Sequence, residues 1–333
     1  MRTITVFLVS FMCLQLVGQN KPALAKSGFI ENPIINGYFA DPTIVKDKGT
    51  FYIYATKDPW GGADLAVFET KDFVTFSPKE INWPTKKACT SPTSNGSKVW
   101  APSVVKATNG KFYMYVSVGS EVWCGVSEKP LGPWKNAKAD NSPLVNGKMF
   151  PKYHMIDAEC FIDDDGQAYL YWGSGLNWKD GHCFVVKLDK DMVTFISEPK
   201  DITPEKYFEA PFMLKKNGLY YLMYSEGVCT THTYKVQYST SKSPFGPWKL
   251  GNNSPILSTS ADSITYGPGH HTVFKEKGKY YILYHRINRQ NKKELLRELC
   301  IDYLNFDAKS NILKVMPKGV KRLPLTPKGK LDK

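Results

Sequence analysis

The sequence predicts an all-β fold, a single-domain five-bladed β-propeller, because one hairpin pattern occurs five times. Each copy has a short apolar run, a polar turn with a glycine, and an aromatic-rich run, which is typical of two strands joined by a tight turn. The copies occupy residues 41–56, 100–118, 155–173, 208–226 and 267–286. Their turn glycines are Gly49, Gly110, Gly166, Gly218 and Gly278.

The spacing of the turn glycines supports the same fold. The differences between successive glycine numbers are 61, 56, 52 and 60, a little above the roughly 40–50 residues of a four-stranded blade. Whole blades repeat as well as hairpins, because Gly132-Pro133-Trp134 closes the second blade and Gly246-Pro247-Trp248 closes the fourth. The repeats predict a propeller domain over residues 31–310.

Taken in order, the blades are predicted to begin near residues 38, 100, 155, 208 and 266, each with the apolar run of its hairpin. A long polar loop, residues 77–99, separates the first two blades, and loops of this length are usually functional or disordered. The turn of the third blade, Asp163-Asp164-Asp165-Gly166, lacks the ligand series of a calcium loop and predicts an acidic hairpin turn. Helical periodicity is scarce, and only residues 292–299 are compatible with a turn or two of helix.

The two ends of the chain differ in composition from the repeats. Residues 1–25 predict a secretory signal peptide, with Arg2 as its basic start, an apolar core at Val6–Val17 and cleavage between residues 18 and 25. The alternative is a membrane anchor, but the apolar run is short for a span of about 20 residues. We therefore expect an exported protein, periplasmic or extracellular, without stable membrane insertion after signal removal. Residues 311–333 predict a basic C-terminal tail.

Charge and cysteine content narrow the range of partners. The formal net charge is +13, yet the lysines are scattered through turns without an Arg/Lys stripe, so we expect no nucleic-acid partner. No Cys-x-x-Cys or Cys/His cluster indicates zinc. We expect a monomer. The cysteines outside the signal, whose spacing does not define a disulfide framework, are Cys89, Cys124, Cys160, Cys183, Cys229 and Cys300.

Acidic residues recur at related positions of the repeats. The first strand of each propeller blade lines the central channel, so equivalent positions converge near the axis. A fold needs no acids there, and burying unpaired charges is costly, so these acids indicate a functional site. Eight or nine residues before the turn glycines lie Asp41, Ala101, Asp157, Glu209 and the pair Gly269-His270.

Carboxylates that face each other across a pocket are suited to glycosidic bond cleavage. One acid, protonated, gives a proton to the leaving oxygen, and the other, ionised, activates water or attacks carbon. A third acid can orient the proton donor and help to set its pKa. Because non-adjacent blades are far apart, we expect the roughly 6.5–9.5 Å separation of an inverting pair.

Four motifs in this sequence resemble those of glycoside hydrolase family 43. They are Asn-x4-Gly-x2-Ala-Asp-Pro at residues 32–42, Ile-Asp-Ala-Glu at 156–159, Glu-Ala-Pro at 209–211 and Gly-Pro-Gly-His at 267–270. The similarity spans residues 32–307. It implies a five-bladed propeller that acts on arabinose- and xylose-containing glycans.

The resemblance also implies a role for individual residues. Asp41 would be the general base, Glu209 the general acid, and Asp157 the residue that orients the acid and tunes its pKa. Arg297 resembles the family's arginine near the catalytic sugar. His270 matches a histidine of the central channel that is often near a cation bound through water. We therefore expect no obligatory cofactor, with a structural Ca²⁺ in the channel as an option.

Tryptophans are the further candidates for substrate binding, because an indole ring stacks well on a sugar face. Trp100 and Trp172 are the stronger candidates, and Trp60 and Trp178 the weaker ones. Propeller cores also use tryptophan, so each has a structural alternative.

The expected function is that of a secreted, inverting glycoside hydrolase that removes α-L-arabinofuranosyl or β-D-xylosyl residues from plant polysaccharides or oligosaccharides. The long 77–99 loop favours a closed, exo-acting site. A β-galactosidase and an endo-arabinanase are alternatives on the same scaffold. A non-catalytic glycan-binding propeller is a further alternative, although acids in only three blades argue against it. The sequence leaves the sugar, the linkage and exo or endo action open.

Overall fold

The computed structural model describes residues 29–291 and 293–321, and it confirms the predicted five-bladed β-propeller. The predicted signal peptide and residues 322–333 of the predicted tail lie outside the described residues. All strand pairs in the blades are antiparallel. From the inner strand outward, blade one consists of Phe39–Asp47, Thr50–Lys57, Ala66–Thr70 and Ser77–Lys79, and blade two of Val99–Lys106, Phe112–Val118 and Glu121–Ser127, the last of which pairs with both Lys135–Asn136 and Val145–Asn146. Blade three consists of Glu159–Ile162, Ala168–Trp172, Phe184–Leu188 and Lys200–Asp201, and blade four of Glu209–Lys216, Leu219–Glu226, Lys235–Ser241 and Lys249–Leu250. Blade five consists of Gly269–Glu276, Lys279–Ile287 and Arg297–Leu304.

The predicted hairpins are the inner two strands of each blade. In blade one, Asp47 pairs with Thr50 across a two-residue turn, and both Lys48 and Gly49 have positive φ. Positive φ at both central positions is the geometry that matches the twist of the flanking strands. Asn217-Gly218 and Lys277-Gly278 form the same turn in blades four and five. This requirement explains why a glycine marks the turns in the sequence.

Five apolar clusters hold the ring together, one between each pair of neighbouring blades. In the cluster between blades two and three, for example, Tyr115 of one blade and Leu170 of the next are both fully buried. The two faces of each sheet therefore pack on different neighbours. This arrangement accounts for the near-continuous apolar and aromatic runs of the second strands.

Blade one is joined to blade five by the start of the described chain. Ile34 N–H donates to the carbonyl of Leu299 (2.9 Å), and the side-chain amide of Asn32 bonds with both the N–H (2.8 Å) and the carbonyl (3.2 Å) of Ile301. The strand Phe29–Ile30 also pairs with Val320–Lys321. The residues before blade one thus lie beside the third strand of blade five.

Two expectations about local structure are wrong. Residues 293–296 are not helical, and Arg297–Leu304 is a strand, because pairing with Lys279–Ile287 outweighs the weak helical pattern. The predicted loop 77–99 is in fact residues 80–98, because Ser77–Lys79 is the outer strand of blade one and Val99 begins blade two, and this loop contributes none of the side chains that line the cavity of the candidate site. Trp83 of this loop is instead buried between blades one and two, with its Nε1 2.8 Å from Asn136.

The other secondary structure is short. Tyr153–His154 pairs with Ser174–Gly175, and Leu176–Trp178 forms a single 3-10 turn. Within residues 29–291 and 293–321, no helix is long and apolar enough to cross a bilayer.

Candidate active site

In each blade, one residue in the inner strand or just before it has a left-handed backbone conformation. Irregular pairing surrounds this residue in four of the blades, and such bulges re-aim side chains at sites. The bent residues are Asp41 (φ 51°), Ala101 (49°), Asp157 (57°), Ala210 (55°) and His270 (37°). The structural equivalent of Asp41 in blade four is therefore Ala210, and Glu209 lies one residue earlier than the repeat alignment of the acids implies.

Hydrogen bonds between neighbouring blades hold these bends in place. In four blades, the N–H of the bent residue donates to a side chain seven residues after the turn glycine of the preceding blade. The pairs are Ala101 with Thr56 Oγ1 (2.8 Å), Asp157 with Ser117 Oγ (2.9 Å), His270 with Ser225 Oγ (3.0 Å) and Asp41 with His285 Nδ1 (3.2 Å).

Blade three has a glycine, Gly173, at this position. Its φ is 125°, and a Cβ there would lie 2.2 Å from the carbonyl oxygen of His182. Without a side chain at residue 173, the N–H of Ala210 interacts instead with the carboxyl group of Asp157, which opposes the larger effect of burial on the pKa of that acid. Because residue 173 has no hydroxyl group, the Ala210 N–H is available to Asp157, one of the candidate catalytic acids.

Asp41 is buried beside one guanidinium and two imidazole rings. Its Oδ1 lies 3.0 Å from Arg297 Nη1 and 3.2 Å from the Nδ1 atoms of both His270 and His285, and its Oδ2 accepts the Thr56 hydroxyl at 2.8 Å. Burial alone would raise the pKa of Asp41, but the Arg297 guanidinium and the two histidines hold it well below its usual range. Asp41 is therefore an ionised carboxylate.

Arg297 is held from its other side by Asp58. The Arg297 backbone N–H donates to Oδ2 of Asp58 (2.7 Å), and its guanidinium contacts both carboxylate oxygens. Burial disfavours the charged form of Arg297, but the carboxylates of Asp41 and Asp58 outweigh this effect and raise the pKa of Arg297 above its usual value. Arg297 is predicted from the sequence, whereas Asp58 is not, because it precedes a proline in a loop and carries no repeat signal.

Glu209 has two hydroxyl donors. Tyr234 Oη donates to Oε1 (2.8 Å) and Ser174 Oγ donates to Oε2 (3.1 Å). Burial raises the pKa of Glu209 to about 7, against the opposing effect of these two hydrogen bonds. Glu209 thus keeps a proton near neutral pH, which is the state that a proton donor needs.

Asp157 is coupled to the other two acids. Burial, and then the carboxylates of Glu209 and Asp41, raise its pKa well above the usual value. Its Oδ2 lies 3.6 Å from His270 Nδ1. Because three acids share one buried site with a single arginine, they cannot all be ionised at once. Asp157 and Glu209 therefore retain the protons while Asp41 does not.

His270 lies between Asp41 and Asp157, with its Nδ1 3.2 Å from Asp41 Oδ1 and 3.6 Å from Asp157 Oδ2. Burial lowers its pKa to about 4, so the imidazole is neutral. Among the residues that the structure describes, no group of three or more His, Cys, Asp or Glu side chains could hold a metal ion. A cation held near His270 through water needs no such group, so that expectation stays a prediction.

A cavity of about 400 Å³ brings the predicted site residues together. Its lining includes six of the seven residues selected from the sequence: Asp41, Trp100, Asp157, Glu209, His270 and Arg297. The volume is at the low end of the roughly 300–1,000 Å³ of small-molecule clefts. A single recess of this size, with carboxylates of opposite protonation state in its wall, can hold a sugar residue and cleave its glycosidic bond.

The expectation for Trp172 is wrong. Its indole is fully buried between blades two and three, with Nε1 3.1 Å from the sulfur of Met155. Trp60 and Trp178 line the cavity with Trp100 and are 46% and 50% exposed. Both have positive φ, a strained conformation for a bulky residue that often occurs at ligand sites.

Comparison with known proteins identifies the class of protein that this fold and site define. The chain matches the family model "Glycosyl hydrolases family 43" over residues 30–311. It is 35% identical, over 85% of its length and 84% of the relative's, to the "Beta-D-galactofuranosidase xynD" of Aspergillus niger. It is 28% identical, over 76% of its length, to the "Arabinoxylan arabinofuranohydrolase" of Bacillus subtilis, of which it covers 57%.

A solved structure gives the same result. An α-L-arabinofuranosidase from Clostridium thermocellum superposes with a TM-score of 0.67 at 27% identity, covering 85% of this chain and 95% of the other. The protein is a glycoside hydrolase. More particularly, it belongs to glycoside hydrolase family 43, which confirms the resemblance found in the sequence motifs.

Proposed function

We propose that the protein is an exo-acting, inverting glycosidase that removes terminal α-L-arabinofuranosyl or β-D-xylosyl residues from plant polysaccharides or their fragments. One observation carries this proposal: a buried carboxylate held ionised, Asp41, and a buried carboxylic acid held protonated, Glu209, line the same cavity. Single-displacement glycosidases need such a pair.

The reaction follows from the two protonation states. Glu209 gives its proton to the glycosidic oxygen as the bond from that oxygen to the anomeric carbon breaks. Asp41 takes a proton from a water molecule whose oxygen attacks the anomeric carbon from the opposite face, which inverts its configuration. Arg297 keeps Asp41 ionised, and Asp157 holds the backbone N–H of Ala210, the residue next to the acid.

The cavity and the relatives support a terminal sugar as the substrate. A recess of about 400 Å³ suits the end of a glycan better than the middle of a chain. The exposed rings of Trp60 and Trp178 offer apolar faces for the sugar units on the leaving side. Names of the relatives include arabinofuranohydrolase and beta-xylosidase.

A second candidate is β-D-galactofuranosidase activity, which the 35% identity to a protein of that name favours. α-L-Arabinofuranose and β-D-galactofuranose share the configuration of their ring carbons. They differ by one additional carbon on the exocyclic arm, so a site that fits one needs only more room beside that arm to fit the other.

A panel of 4-nitrophenyl glycosides tests both candidates. The panel contains α-L-arabinofuranoside, β-D-xyloside, β-D-galactofuranoside and β-D-galactopyranoside, with polymeric arabinan and arabinoxylan alongside. We expect turnover of one furanoside or the xyloside, and proton NMR of the first product should show the inverted anomer. Oligosaccharide release from arabinan without glycoside turnover would contradict exo action, and a retained anomer would contradict the single displacement.

The roles of the acids are tested with Glu209→Gln and Asp41→Asn. We expect Glu209→Gln to lose about 10²–10⁴-fold in kcat/KM on a natural oligosaccharide, and less on a 4-nitrophenyl glycoside, because nitrophenolate leaves with little acid help. Asp41→Asn should lose activity on both substrates, because water activation is needed in each case. Equal loss on the two substrates in Glu209→Gln would argue against its role as the acid.

We also propose that the protein is exported after removal of a signal within residues 1–25 and acts as a monomer. N-terminal sequencing of the protein from the periplasm and the medium tests export, and light scattering tests the oligomeric state. A retained Met1 or a stable dimer would contradict these proposals.

A further inference from the structure

The proton donor of this site is held by a tyrosine outside the sequence motifs. Tyr234 is fully buried, and its hydroxyl donates to Oε1 of Glu209 at 2.8 Å. It lies just before the third strand of blade four, whereas the other donor, Ser174, comes from blade three. Glu209 is thus fixed through both of its oxygens by hydroxyl groups from two different blades.

Packing fixes the phenol ring itself. The Tyr234 ring lies parallel to the imidazole of His285, with a centroid distance of 5.8 Å and an interplanar angle of 5°. On the other strand, Gly269 lies so close that an added Cβ would be 2.0 Å from Cε1 of Tyr234. The ring cannot move without displacing the inner strand of blade five. This explains why the residue before His270 is a glycine.

A second hydroxyl connects this phenol to the bend of blade five. Ser225 Oγ accepts the backbone N–H of His270 at 3.0 Å, and the Ser225 hydroxyl acts to lower the pKa of the Tyr234 phenol. Burial raises the pKa of Tyr234 well above its usual value in spite of this bond. The phenol therefore stays protonated and donates its hydrogen bond to Glu209.

We propose that Tyr234 is a positioning residue for the acid, and that Ser225 links it to the backbone at His270. The hydrogen bond from the Tyr234 hydroxyl to Glu209 carries this role, and Ser225, which accepts the His270 N–H, acts on the Tyr234 phenol. This inference rests on the proposed role of Glu209 as the acid. The phenol stabilises the carboxylate that remains after proton transfer, so it makes Glu209 a stronger proton donor.

Other ionisable groups near Glu209 also affect its pKa, so a test of Tyr234 must leave them unchanged. The Asp41 carboxylate disfavours the ionised form of Glu209, and Arg297 favours it. The buried thiol and phenol of Cys229 and Tyr207 are neutral neighbours, because burial raises the pKa of both. The neutral imidazoles nearby belong to His154, His270 and His285.

Tyr234→Phe separates these contributions because it keeps the ring and removes only the hydroxyl group. We expect the pKa of the alkaline side of the pH profile of kcat/KM to rise by about one to two units, which is the effect of losing one hydrogen bond to a charged group. Ser225→Ala should move it in the same direction by less. The matched control is Tyr207→Phe, which removes a buried phenol that donates to the Gly173 carbonyl (2.7 Å) rather than to the acid.

A titration without substrate makes the test independent of the proposed function. ¹³C NMR of the glutamate side-chain carboxyls, with the Glu209 signal assigned by its loss in Glu209→Gln, reports the pKa of Glu209 in each variant. An upward shift in Tyr234→Phe but not in Tyr207→Phe supports the inference even if no glycoside is hydrolysed. An unmoved Glu209 pKa, or equal shifts in both variants, overturns it, and a lower kcat with an unmoved limb would mean a structural role alone.

Discussion

Asp58 binds the guanidinium of Arg297 through both carboxylate oxygens, with Nη2 2.7 Å from Oδ1 and Nε 3.0 Å from Oδ2. The remaining Nη1 of the same arginine reaches Asp41 at 3.0 Å. Asp58 thus orients the guanidinium of Arg297, which keeps Asp41, the proposed base, ionised. A planar, forked cation is required for this geometry, because a lysine ammonium is a single point of charge.

The first prediction concerns this pair. Asp58→Asn should lower kcat/KM by about 10²-fold, because a small misplacement of Arg297 disturbs the base, and Arg297→Lys should lower it at least as much. The matched control is Asp64→Asn, which breaks an exposed pair with Lys57 and should leave activity unchanged. Full activity of Asp58→Asn would show that Arg297 is positioned without its partner.

The second prediction concerns pH. Asp41, whose pKa is held well below its usual range, stays ionised through mildly acidic pH. The pKa of Glu209 is raised to about 7, so its proton is lost as the pH rises through that value. kcat/KM on an oligosaccharide should therefore be level between about pH 5 and 6 and fall about tenfold per pH unit above about 7. A midpoint near the usual glutamate value would contradict the burial of the acid.

The sequence was sufficient for the fold because five repeats of one hairpin leave little choice of architecture. The repeats also led to the three acids that line one cavity, because carboxylates near buried repeat positions have no structural purpose, although Glu209 lies one residue before the position equivalent to Asp41. Their partners were harder to predict, because Asp58, Ser174 and Tyr234 reach the site only through tertiary packing. A closer comparison of the repeats offered one more signal: seven residues after the turn glycines stand Thr56, Ser117, Gly173, Ser225 and His285.

The third prediction concerns closure of the ring. Asp302 accepts hydrogen bonds from Tyr284 Oη (2.8 Å) and Asn32 Nδ2 (3.0 Å) at one oxygen, and from the N–H groups of Lys318 (2.8 Å) and Gly319 (2.7 Å) at the other. It therefore joins blade five to both ends of the described chain. In Asp302→Asn, the side-chain N–H₂ faces either the two side-chain donors or the two backbone N–H groups. We expect this clash of donors to lower the free energy of unfolding by about 1–3 kcal/mol.

Thermal unfolding measures this cost, and Tyr284→Phe, which removes one of the four donors, should cost less. Because Asp302 does not line the cavity, kcat/KM well below the unfolding temperature should be unchanged. A large loss of activity in a folded Asp302→Asn protein would mean that ring closure also controls the geometry of the site.

The last prediction separates the two kinds of tryptophan in this chain. Trp178 is half exposed at the cavity, so Trp178→Ala should raise KM for an oligosaccharide about fivefold to tenfold, as expected for one lost stacking contact. KM for a 4-nitrophenyl glycoside should change less, because that substrate lacks the sugar units on the leaving side. Trp172 is fully buried, so Trp172→Ala should instead destabilise the fold by about 3–5 kcal/mol and lower Tm. If Trp178→Ala lowers Tm as much as Trp172→Ala and leaves KM unchanged, the exposed ring belongs to the fold and the leaving-side sugars bind elsewhere.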